Sequence, residues 1–135
     1  MTKRFQLPVR VYWEDTDAGG VVYHANYLRY LERARSDWLR ELGVRQEQMR
    51  AEQNAQLVVR SIQCQYLKAA RLDDELLVSA AVSGLGRASF EFSQVIEKEG
   101  ETILTAELKA ACIDATTLRA RRFPATLVQL LSPLV

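Results

Sequence analysis

The chain is poor in the residues that staple or metallate a small domain. Its 135 residues include two cysteines, Cys64 and Cys112, and one histidine, His24. Two thiols exclude a disulfide framework and a four-ligand zinc site. An excess of one charge is lacking too: 18 basic residues stand against 17 acids, a net +1 at pH 7, which argues against a nucleic-acid binder. Long apolar runs are missing, and the uncharged segments 76–86 and 123–135 are too short to span a bilayer. No apolar leader with a small-residue cleavage site follows residues 1–5, so the expected location is the cytoplasm, with reduced thiols. A chain of this length buries roughly two thirds of its unfolded surface and needs neither staple nor metal to fold. Arginine is what it has in quantity. It supplies 14 of the 18 basic residues, which suits local recognition of phosphate or carboxylate.

No repeat, low-complexity tract or Pro/Gly/Ser linker divides the sequence, which predicts a single domain over residues 1–135. Residues 7–13 alternate, with Leu7, Val9, Val11 and Trp13 apolar, as in a half-buried strand. Two acids and a glycine pair break that pattern over 15–20. Tyr27, Leu31, Ala34, Trp38 and Leu42 then recur at intervals of three and four, marking an amphipathic helix of four to five turns that Gly43 stops. Residues 44–54 are polar around Val44 and Met49 and read as a short surface helix or irregular connection. Val58, Ile62, Cys64 and Tyr66 mark a strand interrupted by Arg60, for which an internal or intersubunit ion pair is expected. A run from Glu75 to Val82, a turn at 83–86, the pair Phe90 and Phe92, and the alternation Leu104, Ala106, Leu108, Ala110, Cys112 give further strands. Pro124, followed by Leu127, Val128, Leu130 and Leu131, predicts a short closing helix. The sum is an α+β domain in which a curved antiparallel sheet of about five strands wraps one long helix. Such a sheet has free edges, and edge pairing between two copies makes a homodimer the default.

Polar chemistry concentrates in residues 13–27, between the first strand and the long helix. Asp15, Asp17 and His24 lie there, with Gly19 and Gly20 permitting close backbone approach. A helix starting near His24 to Asn26 would present unpaired N–H groups and a positive dipole end. A carboxylate beside such a terminus is a workable hydrolytic pair: the acid attacks or activates water while N–H groups hold an oxyanion. From residue types alone, turn formation and helix capping are the more frequent use of acids in such a loop. A metal site is disfavoured because two carboxylates and one imidazole match no ligand spacing. Gly84 and Gly86 make only half a dinucleotide fingerprint, and both cysteines fall in apolar strand positions where packing is the ordinary role. Arg119, Arg121 and Arg122 form a basic cluster, by default solvated, that could meet a phosphate.

The run from Val9 to Tyr27, continuing into Glu32-Arg33-Ala34-Arg35, resembles the signature of hotdog-fold acyl-CoA thioesterases of the 4-hydroxybenzoyl-CoA thioesterase type. Within them it is most similar to bacterial enzymes encoded with the Tol-Pal cell-envelope system. The resemblance implies a helix wrapped by a sheet, edge-to-edge dimers that pair into tetramers, active sites at the dimer interface, and hydrolysis of an acyl-CoA to free acid and CoA without a cofactor. It assigns the catalytic carboxylate to Asp17 and an oxyanion-binding amide to His24, whose imidazole would orient water or the substrate. Trp13 stands where close relatives carry tyrosine, and having no ionisable hydroxyl it is read as a pocket wall. Gly19, Gly20, Val21 and Tyr27 complete the expected substrate contacts, with Arg87, Ser89, Arg121 and Arg122 as candidates for the nucleotide end. The alternative is an interaction protein for acyl carrier protein or envelope enzymes, with weak catalysis, placed in the cytoplasm or at the inner membrane's surface. A hotdog hydratase ranks last, since His24 does not match that motif.

Overall fold

The computed structural model describes residues 4–135; residues 1–3, part of the segment searched above for a leader, lie outside it. Strand β1 (Phe5–Arg10) leads through a 3-10 turn at Trp13–Asp15 into helix α1 (Asn26–Glu41). Helix α2 (Gln46–Gln53) follows, then β2 (Ala55–Tyr66), β3 (Glu75–Leu85), β4 (Ser89–Lys98), β5 (Glu101–Asp114) and helix α3 (Ala125–Leu131). The strands form one antiparallel sheet in the order β1-β3-β4-β5-β2. This is the α+β arrangement of one long helix and five strands expected from the periodicity, and the hotdog architecture that the resemblance implies.

Helix α1 buries Tyr27, Tyr30, Leu31, Ala34, Trp38 and Leu39 against the sheet, the predicted stripe with Tyr30 and Leu39 added and with Leu42, just past the helix, only partly buried. The Trp38 ring meets Phe92 edge-on at 5.6 Å. The helix ends in a Schellman motif. Gly43 takes φ +97°, its amide reaches Arg40 O at 3.0 Å, and the Val44 amide reaches Leu39 O at 2.8 Å. Under the helix, the buried Gln94 of β4 donates to Leu31 O and Ser79 O and accepts from Arg35, so its amide is satisfied on both ends.

Four local expectations are corrected. β1 stops at Arg10, so Trp13 sits on the 3-10 turn, 80% exposed, and does not extend the strand. β3 runs on through Leu85, with a bulge between Val82 and Gly84, which moves the hairpin turn to residues 86–88. β2 carries a second bulge between Val59 and Ser61. The extra residue, Arg60, flips the side-chain phase, so Leu57 and Val59 share the helix-facing side with Ile62, Cys64 and Tyr66 while Val58 turns outward. Arg60 itself is exposed and has no carboxylate partner among the described residues, which removes the internal ion pair and leaves the intersubunit one.

The consequence for assembly lies in β2. It is twelve residues long and stands at a sheet edge, with Val59, Ile62 and Tyr66 between 36% and 49% exposed. Long apolar edges of this kind are templates for pairing. The core should be most sensitive beneath α1: Leu31→Ala, at a position of 0% exposure, is expected to lower unfolding free energy by about 2–5 kcal/mol in denaturant titration.

Candidate active site

The segment between β1 and α1 is a tight hairpin. Thr16 and Val22 form a β-bridge, the Asp17 amide donates to Val21 O at 2.9 Å, and the Gly20 amide closes the tip on Asp17 O at 3.0 Å. Gly20 needs its freedom, because φ there is +78°. A Cβ on Gly19 would stand 3.2 Å from Asp17 Oδ1, so that position also favours glycine.

Asp15 fastens the hairpin to the helix. Its carboxylate accepts the Tyr12 amide at 2.8 Å, and its carbonyl accepts both the Tyr23 amide and Asn26 Nδ2 at 2.9 Å. The second arm is pinned to the β2–β3 connection by a Val21–Arg71 bridge and by the Val22 amide on Ala70 O. Asp74 secures that connection in turn, accepting the Arg71 amide at 2.8 Å and Lys98 Nζ at 2.9 Å.

Neither acid caps α1. Asp17 Oδ1 accepts the Gly19 amide at 2.8 Å within its own turn, and no hydrogen bond engages Oδ2 among the described residues. The N-cap position is Ala25, whose methyl side chain cannot accept a hydrogen bond. The His24 and Ala25 amides meet no acceptor among the described residues, so two donors stand open at the positive end of a sixteen-residue helix. The Tyr27 hydroxyl is raised above the ordinary phenol range mainly by burial, with the charges of Asp74 and Asp17 adding to it. Tyr30 is raised as well, by burial first and by the Asp15 carboxylate second, and its buried hydroxyl meets no hydrogen-bond partner among the described residues. His24 is exposed, its ring 4.6 Å from that of Tyr23.

The remaining candidates gather elsewhere. Arg87 lies in the β3–β4 turn, Ser89 opens β4, and the Phe123 amide donates to Arg87 O at 3.1 Å, which draws Arg122 to the same corner. Arg87 and Arg122 are exposed. Arg121 is engaged: its guanidinium bonds Gln53 O at 2.8 Å and Arg122 O at 3.1 Å, clamping the end of α2. This corner sits where β2 begins, whereas the Asp17 hairpin sits where β2 ends. At the usual strand rise, twelve residues separate the two by up to roughly 35 Å. Among the described residues, no group of three His, Cys, Asp or Glu side chains is placed to hold a metal ion.

Residues 11–131, spanning the hairpin, helix α1, strands β2 to β5 and the closing helix, match the pattern of the thioesterase-like superfamily. The chain belongs to that superfamily. It is 43% identical over 120 residues to the acyl-CoA thioesterase YbgC of Haemophilus influenzae, covering 89% of this chain and 88% of that one. It is 41% identical over 128 residues to the acyl-CoA thioester hydrolase YbgC of Escherichia coli, covering 94% and 95%. A probable thioesterase from Bartonella henselae superposes with a TM-score of 0.86 at 32% identity, covering 90% of this chain and 100% of that one. The chain is thus an enzyme of the thioester-hydrolase class, built on the hotdog fold.

Within this thioesterase-like site, one participant escaped the sequence reading. Tyr66, the last residue of β2, donates its hydroxyl to His24 O at 3.0 Å and sets its ring edge-on to Tyr27 at 5.6 Å. Tyr27 accepts the Ala70 amide at 2.9 Å, so two tyrosines bracket the loop. The support beneath them is acid-sensitive. Burial pushes the Asp74 carboxyl up, but the Arg71 amide and the Lys98 ammonium outweigh it and hold Asp74 below the usual carboxylate value. A depressed carboxylate stabilises the fold above its unfolded pKa of about 4, and that contribution is lost as pH falls through the folded value. The stability gap between wild type and Asp74→Asn, followed by denaturant unfolding across pH, is therefore expected to be open at pH 7 and to close below about pH 4.

Proposed function

We infer that the protein hydrolyses an acyl-CoA to a free acid and CoA, with residues 1–135 acting as one hotdog domain. The observation that carries this reading is the Asp17 carboxylate, with one oxygen unengaged, in the hairpin that delivers the chain to the uncapped start of α1. A thioester carbonyl set at the His24 and Ala25 amides would have its oxygen at the donors and its carbon open to attack. Asp17 then serves as nucleophile, through an acyl anhydride that water cleaves, or as general base on water. In both routes negative charge grows on the thioester oxygen, where fixed N–H dipoles stabilise it, and the carbonyl–sulfur bond breaks to release a thiolate. A thiolate leaves readily, so strong acid catalysis at Trp13 or His24 is unnecessary. Supporting the choice of acyl-CoA are the two YbgC relatives, at 41% and 43% identity over most of their length. Within the superfamily we assign the chain to the 4-hydroxybenzoyl-CoA thioesterase type and its cell-envelope branch, on the run from Val9 to Tyr27 and the Glu32 to Arg35 segment that follows it.

A second copy completes the site in this reading. Pairing two β2 edges about a two-fold axis must run antiparallel, which sets the partner's β2 start beside this chain's Tyr66. The corner holding Arg87, Ser89 and Arg122, remote from Asp17 in its own chain, would then approach the partner's hairpin and offer cations to the CoA phosphates. Arg121 is excluded from that task by its grip on Gln53 O and belongs to the scaffold.

Two experiments test these assignments. Asp17→Asn preserves shape and removes the charge, and should reduce acyl-CoA turnover, read as free thiol release, by at least roughly 100-fold with little change in KM. Near-normal turnover would overturn the catalytic assignment. Arg87→Ala combined with Arg122→Ala should raise KM for acyl-CoA and flatten its dependence on salt, measured between low and physiological ionic strength. An unchanged KM and salt response would remove the corner from the site.

A further inference from the structure

Building on that reading, we propose that Tyr66 is a positioning residue, whose hydroxyl aims the Ala25 amide at the reacting oxygen. The geometry is that of one peptide unit. His24 O and the Ala25 N–H belong to the same planar, trans peptide and point in opposite directions. Tyr66 donates to His24 O at 3.0 Å and thereby fixes the plane. Fixing the carbonyl on one side directs the N–H to the other, where it meets no acceptor among the described residues.

The peptide has few other restraints. Ala25 is the N-cap of α1 and offers no side-chain hydrogen bond, and the His24 side chain is exposed. The neighbouring amides are held from the other side, Tyr23 on Asp15 O at 2.9 Å and Asn26 on Tyr23 O at 2.8 Å. Between those two anchors, the His24–Ala25 peptide has Tyr66 as its one hydrogen-bond partner among the described residues. Tyr66 is suited to hold it because its ring is itself held, edge-on against Tyr27 at 5.6 Å, and its backbone ends β2 opposite Leu104. A donor on the carbonyl also polarises the peptide and makes its N–H a stronger donor, since hydrogen bonds in a chain reinforce one another. The same tyrosine terminates the exposed edge strand.

The test is Tyr66→Phe, which keeps the ring and deletes the hydroxyl. With an acyl-CoA substrate, kcat should fall about tenfold while KM is unchanged, a smaller loss than removal of an oxyanion donor itself because the amide remains and only its aim is relaxed. The Ala25 amide nitrogen resonance should shift in the substrate-free protein, because that nucleus senses the bond on the preceding carbonyl. The thermal midpoint should stay close to wild type. An unchanged kcat, or an unchanged Ala25 resonance, overturns the proposal; so does a rise in KM that accounts for the whole loss. Asp17→Asn measured alongside separates the two failures. If it is inactive while Tyr66→Phe is normal, only the positioning role is lost, and if it stays active the site reading itself fails.

Discussion

Helix α1 begins without a side-chain cap, and the structure around it is arranged to keep that opening rigid. An uncapped terminus normally frays or finds water. Here Asp15 ties the preceding hairpin to Tyr12, Tyr23 and Asn26, residues 70 and 71 hold the hairpin's second arm, and Tyr66 holds the His24 carbonyl. Each bond is worth only about 1 kcal/mol, yet together they restrain the backbone on either side of two open amides. Open donors in a restrained backbone are a preorganised electrostatic device, since no reorganisation is needed when charge develops beside them.

The rest of the fold serves that opening at longer range. Burial of Tyr27, Leu31 and Trp38 fixes the axis of α1 over the sheet, and the satisfied amide of Gln94 locks the helix to β4 and β3. β2 stands at the edge opposite β1, with β3, β4 and β5 between them. Its exposed apolar face ends at Tyr66, so the surface that invites a second copy also touches the loop with the open amides.

Much of this was legible in the residues. The three-and-four spacing from Tyr27 to Leu42 located α1, Gly43 located its end, and alternation located most of the strands, because burial of one face leaves a direct imprint on composition. The bulge at Arg60 left none. It inserts one residue without a characteristic side chain, so a single even-numbered phase was read through a strand whose phase changes. Trp13 prolonged the first strand's alternation on paper, although Val11 had already been handed to contacts with the 73–74 turn. The position of Asp17 and the glycine pair was legible as a motif, and turn formation was one of the two uses expected of its acids; Asp17 takes that use, and neither acid caps the helix. Tyr66 and Arg121 were unreadable for one reason. Their partners, His24 and Gln53, lie 42 and 68 residues away, and only the fold brings them together.

The central claim is that hairpin carboxylate and arginine corner form one site across two chains. The most direct test mixes Asp17→Asn protomers with protomers carrying both Arg87→Ala and Arg122→Ala, exchanging subunits by dilution and reassociation, and measures acyl-CoA hydrolysis at low substrate. A hybrid dimer then holds one site with both defects and one with neither. Shared sites predict activity rising above the mean of the two variants, toward about a quarter of wild type for random mixing of a two-fold dimer. Activity fixed at that mean, with hybrids demonstrably formed, would contradict the account.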